Sequence, residues 1–511
     1  MKHILKSLWN DSSLLNKLVL FIFFVFGLFG ILNHAMWRDE LNGWLLARDS
    51  SFPVEFIQNI RYEGHPVLWY LCLYLLNQLT ANPVAMQLFH LLLATAAIYL
   101  FINFSPFSKL HKILFCFGYL PFYEYLLISR NYALGLLFIF VFCTYFESRK
   151  KSYIGLAIIL ALMANSNAYS LCISFALFSA LILEYIFKKQ LDIKLKITLK
   201  DYLISLGIYL LGVGVSIMML MPPSDSTLQG GSAQWMLQFD TVQLTRTLAR
   251  IWNSYILIIL PGDDQIVSLW LFAILAIGLF LFAATSFIKK PVVLFFYVVG
   301  TLEILLFTYI KFLGSPRHYG HLYIILIVSY WLASYYTPSN LLTRSPIQLP
   351  RRWLNFVSHQ QLAFLTLILS AQLVAGIFSY SRDLILPYSA SRETAKYIQS
   401  HKLDKMFIVG SEDFAIAPIT AYLNRKIYYL ESDNLGSFVL FTKDRETLDN
   451  NKILDKLSEI VKQTGTKVLL ISNHKLEIPR KDLRLSPLAK FTHAFIDSEK
   501  YYLYLVRGEG Y

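Results

Sequence analysis

Residues 33–52 read NHAMWRDELNGWLLARDSSF, and here an apolar run gives way within four positions to Trp37, Arg38, Asp39 and Glu40. Adjacent carboxylates at such a boundary are costly unless they serve a purpose. The plainer use is to cap a helix and favour its N-terminal dipole; the sharper one is proton transfer or cation binding. Further on, RYEGHPVLWY sets Glu63 and His65 either side of Gly64. A carboxylate and an imidazole both suit a divalent ion, although glycine two residues before Pro66 is also turn chemistry. Two more stretches carry cations: Arg130 in EYLLISRNYALGLLF, and Lys311, Arg317 and His318 in KFLGSPRHYGH. Such groups meet phosphate directly; otherwise they are snorkelling anchors or contacts for anionic lipid headgroups.

The elements that must position these residues are membrane spans. Of 511 residues, 56% are hydrophobic, 16% aromatic and only 15% charged, far too apolar for a soluble chain of this length. The net charge of +13 arises from short basic clusters between apolar runs, the pattern of the positive-inside bias and not of a nucleic-acid surface. Cys72, Cys116, Cys143 and Cys172 lie in apolar stretches without metal spacing and read as small core hydrophobes.

Apolar windows near the ~20 residues a span requires occur at 18–36, 83–104, 110–128, 131–147, 152–165, 168–187, 202–221, 266–288, 291–312, 318–336 and 361–380, eleven in all. The first has no cleavage pattern and is expected to stay as an anchor. Lys2, Lys6 and Lys17 precede it and put the N-terminus in the cytoplasm. The later clusters, Lys109/His111/Lys112, Arg149/Lys150/Lys151, Lys188 to Lys200, Lys289/Lys290 and Arg344/Arg351/Arg352, are all cytoplasmic if residues 65–79 do not cross. That leaves 37–82, the turns near 124–131, 165–170 and 311–321, the loop from 221 to 265 and the tail outside. In the first loop, Leu41, Trp44 and Leu45 recur at helical spacing, and Pro53 opens a second helix. Both are expected to lie in the membrane interface with the carboxylates just above the lipid. Asp225, Asp263 and Asp264 read as loop polarity, and Glu124 as structural.

From about Pro387 the chain changes character. Short β-type runs alternate with helical patterns such as 451–463, which predicts a small α/β domain of Rossmann-like layering. It has no GxGxxG and no P-loop. The expected organisation is a transmembrane domain over 1–386 and an extracytoplasmic α/β domain over 387–511, used for scaffolding or acceptor docking.

MWRDELNGW after the first span, followed by RYEGHPVLWY, resembles the outer-loop signature of the C-type (GT-C) membrane glycosyltransferases, especially the protein O-mannosyltransferase and aminoarabinose-transferase branch. EYLLISRNYALGLLF, GSPRHYGHLY and the trailing soluble domain are similar in order and placement. The resemblance implies a polytopic α-helical fold and an enzyme, in a bacterial inner membrane, that moves a sugar from a polyprenyl-phosphate donor to a lipid, polysaccharide or protein acceptor at the outer face, with inversion. It implies Asp39 as base and Glu40 as the group that orients the loop or binds a cation. Arg130, Lys311, Arg317 and His318 are then donor-phosphate ligands, and Glu63 and His65 a divalent-metal site, should one be needed. One departure stands out: where several relatives carry a further acid, this chain reads Ser129-Arg130-Asn131, with Glu124 nearby. That counts against a two-acid metal arrangement. The rival readings are a polyisoprenoid-linked carrier and a non-catalytic scaffold. A carrier would bury charge at the midplane of repeated halves, whereas here the charges gather at one face and no halves repeat.

Overall fold

The structure, a computed structural model, describes residues 12–228, 235–257, 266–339, 341–342, 349–476 and 480–508. Lys2, Lys6, Asp263, Asp264 and Arg344 fall outside them.

Among the described residues, eight helices are long and apolar enough to cross a membrane: Ser12–Asn33, Val84–Phe104, Tyr132–Lys150, Ala168–Ile186, Leu199–Leu220, Leu269–Ser286, Pro291–Ile310 and Arg351–Ile385. The other three expected windows fold differently, for local reasons. In 110–128, helix Lys109–Cys116 stops before Gly118, and a π-helical turn, Tyr119–Glu124, carries Pro121, which has no N–H for a regular ladder. Window 152–165 shrinks to Ile154–Ala164, ended by Asn165, whose Nδ2 donates to Ala161 O and across to Gly212 O, both at 2.9 Å. Window 318–336 becomes the turn Pro316–Tyr319 and helix His321–Ala333. That helix is buried on nearly every side, so its apolarity matches the bundle interior and not lipid.

Hydrogen bonds sort the loops onto two ends. At one, Arg149 donates to Tyr335 O, Lys196 N to Lys150 O and Ser339 N to Lys289 O. At the other, Leu68 N donates to Asn165 O, Arg61 to Met221 O and Tyr62 OH to Asp225. The three shorter segments connect these same two ends. Helix Leu68–Asn77 does not: it stays at the second end, where Asn77 reaches Trp44 O.

The tail forms a six-stranded mixed sheet in the order β3-β2-β1-β4-β6-β5, from β1 (Phe407–Ser411), β2 (Ile427–Tyr429), β3 (Asn434–Gly436), β4 (Val468–Ser472), β5 (Leu483–Phe491) and β6 (Tyr501–Gly508). β1 pairs in parallel with β2 and β4, joined through helices Asp413–Leu423 and Asn450–Thr464, while β3, β6 and β5 add antiparallel edges. The runs of Ile, Val and Leu in β1 and β4 suit strands covered on both faces.

One expectation for the first loop is overturned. Leu41, Trp44 and Leu45 on helix Arg38–Asp49 do not face lipid. They are fully buried in one core with Ile398, Ile416, Ile419 and Leu469 of the α/β domain. Burying a side chain of this size contributes about 1.5–3 kcal/mol, and a neighbouring domain supplies the cover that a bilayer surface was expected to give. Arg392 strengthens the join by donating to Leu32 O at 2.9 Å, an open carbonyl at the end of the first long helix. Helix Val54–Ile60 is divided, with Phe56 and Ile60 buried and Val54 and Ile57 exposed.

Candidate active site

Only four residues separate helix Arg38–Asp49 from the first long helix, so its first turn stays close to the end of that helix. Glu40 fixes that turn. Its Oε2 accepts from Trp37 N at 3.2 Å, and its Oε1 accepts from Ser129 N at 2.7 Å, beside Arg130. A buried carboxylate needs this kind of pairing. His34 completes it, with Nε2 3.0 Å from Glu40 Oε2 and Nδ1 2.9 Å from Asp383 Oδ2 on the last long helix. Burial disfavours the imidazolium, but Asp383 and Glu40 outweigh it and raise His34 to about 10. Glu40 therefore holds two backbone segments in register and is enclosed by protein, whereas Asp39 is not.

The Asp39 side chain keeps 26% of its surface exposed. Its Oδ2 accepts from Arg317 at 2.9 Å and its Oδ1 lies 3.7 Å from Arg38 Nε. Arg130 donates to the Asp39 carbonyl. Residues 39, 130 and 317, far apart in the chain, thus meet at one point. Arg317 rides on the turn Pro316–Tyr319, reached through Gly314 at φ +70°, a left-handed backbone that favours glycine. Its guanidinium lies over Trp37, 5.2 Å from the ring centroid, and its Nε is buried without a hydrogen-bond partner.

Gly64, at φ +68°, turns the chain so that Glu63 and His65 both face inward. Glu63 accepts from Asn42 Nδ2 at 2.6 Å and from Tyr70 OH at 3.2 Å, and burial pushes its pKa up. His65 Nε2 lies 2.7 Å from Arg130. Burial first, then Arg130 and Arg317, hold His65 well below the usual imidazole range, so it is neutral and accepts from the guanidinium. In this arrangement both Glu63 oxygens and His65 Nε2 have protein partners, while His65 Nδ1 is buried without one. Among the described residues no three His, Cys, Asp or Glu side chains group as metal ligands.

The other two expected phosphate ligands have partners of their own. His318 closes its own turn, accepting at Nδ1 from Ser315 N at 2.9 Å, with its ring against Tyr132 and Tyr169. Lys311, at the end of helix Pro291–Ile310, lies over the Trp235 ring at 4.5 Å. Glu124 accepts from Tyr119 OH at 2.6 Å and lies within electrostatic reach of Arg317.

The α/β domain enters the site directly. Asn42 locks onto Val439 by two bonds, Val439 N to Oδ1 at 2.8 Å and Nδ2 to Val439 O at 3.1 Å. Arg38 N donates to Glu499 Oε1 at 2.9 Å, and the Arg38 guanidinium reaches Ser498 Oγ and covers Phe414. Burial raises Glu499 to about 8, more than the Ser389 and Arg38 contacts lower it. His34, Asp383, Asn42 and Glu499 were not singled out from sequence. His34 stood close enough to Glu40 to invite the question; nothing local marks residues 383 or 499.

The arrangement is a solvent-reachable carboxylate, Asp39, with the guanidiniums of Arg317 and Arg38 beside it and that of Arg130 on its backbone carbonyl, at the meeting of a helical membrane bundle and an α/β domain. No family model matches the chain, and no curated protein matches it. Among solved structures, it is similar to the cryo-EM structure of the arabinofuranosyltransferase AftD from Mycobacteria, with 11% identity and a TM-score of 0.37. The match covers 96% of this chain and 41% of that one, so the chain spans well under half the length of the structure it matches.

Proposed function

We propose that this protein transfers a sugar from a polyprenyl-phosphate donor to an acceptor at the membrane face that carries the α/β domain, inverting the anomeric centre. The observation that carries the reading is the convergence of Asp39, Arg130 and Arg317 at one partly open point. In the reaction, Asp39 takes the acceptor's proton as the acceptor oxygen bonds to C1. The bond from C1 to the phosphate oxygen breaks on the opposite side, and Arg317 and Arg130 stabilise the departing phosphate. Arg317 has an unused Nε–H beside its bond to Asp39, so phosphate can engage the fork and release Oδ2 for the proton. His65, neutral and accepting, steers the second guanidinium. No step needs a metal. Glu40, His34 and Asp383 keep the two arms in register and touch no substrate. The face in question is expected to be extracytoplasmic, and the isoprenoid tail would lie among the exposed apolar helix faces.

The test is comparative mass spectrometry of lipids, envelope polysaccharides and glycoproteins from cells with and without the gene. A hexose or pentose mass missing from one class is expected. Identical glycan inventories would overturn the reading.

A further inference from the structure

Behind the two arginines lies a group of buried polar side chains that the transfer chemistry leaves unused. Asn131 is 1% exposed, yet neither Oδ1 nor Nδ2 has a hydrogen-bond partner. The same holds for the hydroxyls of Tyr132, Tyr169 and Ser170 and for Asn167 Nδ2, all in buried residues. They are neighbours. Asn131 and Tyr132 follow Arg130 directly, and Asn131 shares a helix face with Gly135, four residues on. A Cβ on Gly135 would stand 2.2 Å from Ser170 Oγ and 2.8 Å from Asn167 Nδ2. The Tyr132 ring is 5.6 Å from His318, and His318 is 5.3 Å from Tyr169. Buried amides and hydroxyls are normally bonded. In the same bundle Ser174 and Ser216 do find carbonyls, at 2.8 and 2.7 Å.

We infer that Asn131, Asn167 and Ser170, with the rings of Tyr132 and Tyr169, receive the sugar of the donor, and that this sugar is uncharged. Amide and hydroxyl groups both donate and accept, which is what sugar hydroxyls require, and aromatic rings cover the apolar C–H faces. None of the five residues carries a charge. The nearby ions felt at Tyr169 are Arg250 and Arg317, both cations. Those felt at Tyr132 include Asp39 and Glu124, the one paired with Arg317 and the other bonded to Tyr119. A cationic aminosugar would meet the repulsion of Arg250 and Arg317 here, while the carboxylates felt at Tyr132, Asp39 and Glu124, are held by Arg317 and Tyr119. The inference rests on the sugar-phosphate reading of the site.

The experiment measures binding of three probes to the full-length protein in nanodiscs: farnesyl phosphate, its neutral hexose or pentose phosphodiesters, and the corresponding aminosugar phosphodiester. Wild type should bind a neutral glycoside more tightly than farnesyl phosphate, and the aminosugar about tenfold more weakly, the scale of one or two net hydrogen bonds. Asn131→Leu and Ser170→Ala should lose the sugar increment and keep farnesyl phosphate; Ser170→Ala removes one atom and serves if the larger change misfolds. Arg317→Ala should weaken all three probes. If Arg317→Ala changes nothing while Ser170→Ala loses the increment, the phosphate reading fails and the sugar site stands. A full sugar increment in both pocket variants, no increment in wild type, or an aminosugar bound as well as a neutral one would overturn the inference.

Discussion

Two of the arginine–carboxylate pairs, Arg149–Glu184 and Arg317–Asp39, stand at opposite ends of the bundle and are built differently. Arg149 is 1% exposed and Glu184 fully buried. Arg149 Nε stands 3.2 Å from both Glu184 oxygens, its other nitrogens donate to Phe146 O and Tyr335 O, and Phe146 lies 4.2 Å away over the guanidinium. Each guanidinium nitrogen has a protein partner and the pair is sealed. Arg317 and Asp39 keep 15% and 26% of their side chains exposed, make one bond at 2.9 Å, and leave Arg317 Nε free of hydrogen bonds. A closed pair holds helices together; an open pair with spare donors can exchange partners. Both are arginine–carboxylate pairs, so the role proposed for the open one rests on its incomplete satisfaction and not on its chemical class.

Substitution should tell the two pairs apart. The largest effect expected is on stability at the sealed end. Arg149→Ala leaves Glu184 buried without its cation and should destabilise the fold by about 3–5 kcal/mol, read as a lower midpoint of thermal unfolding in detergent. An unchanged midpoint would mean that the seal is not structural. At the open end, Asp39→Asn should leave the unfolding midpoint nearly unchanged while transfer falls by at least about 10²-fold, the lower end of general-base effects. Near-wild-type turnover would make the open pair structural too. Arg317→Lys keeps the charge but loses the planar fork, so donor affinity should drop by about 1.5–3 kcal/mol in equilibrium binding. The same change at Arg149 should leave donor affinity alone.

The smallest effects concern pH at the join between bundle and α/β domain. Glu499 is raised from an ordinary 4.5 to about 8, so the folded state holds its proton more tightly than the unfolded chain. The stability it contributes is full below about 4.5 and is lost as pH rises through about 8. His34, raised from 6.5 to about 10, contributes stability that is full below about 6.5 and is lost as pH rises through about 10. Unfolding midpoints should therefore decline from pH 5 to 10 in two overlapping steps. Glu499→Gln should remove the lower step, and a profile unchanged by that substitution would exclude Glu499 as its source.

Much of this was legible in the chain. Composition announced a polytopic helical protein, the β-type runs after Pro387 announced the α/β domain, and the charge pattern singled out Asp39, Arg130 and Arg317. The failures have physical causes. An apolar window reads the same whether its side chains face lipid or other helices, so nothing in 318–336 marks His321–Ala333 as a helix enclosed by its neighbours. An amphipathic stripe does not say what covers it, so Leu41, Trp44 and Leu45 were assigned to the membrane interface although a domain more than 300 residues away buries them. Glu63 and His65 stood out by residue type, but the bonds from Asn42, Tyr70 and Arg130 that hold them did not.

Local sequence by itself determined what depends on neighbours along the chain: the apolar helices, the turns at Gly64 and Gly314, and which side chains are chemically able to act. Tertiary structure alone decided which of them meet. Asp383 reaches His34 across 349 positions and Glu499 reaches Arg38 across 461. Those bonds separate an enclosed Glu40 from an open Asp39, adjacent residues of the same charge. The separation follows from burial and partner geometry, which are properties of the packed chain and leave no mark on the order of its residues.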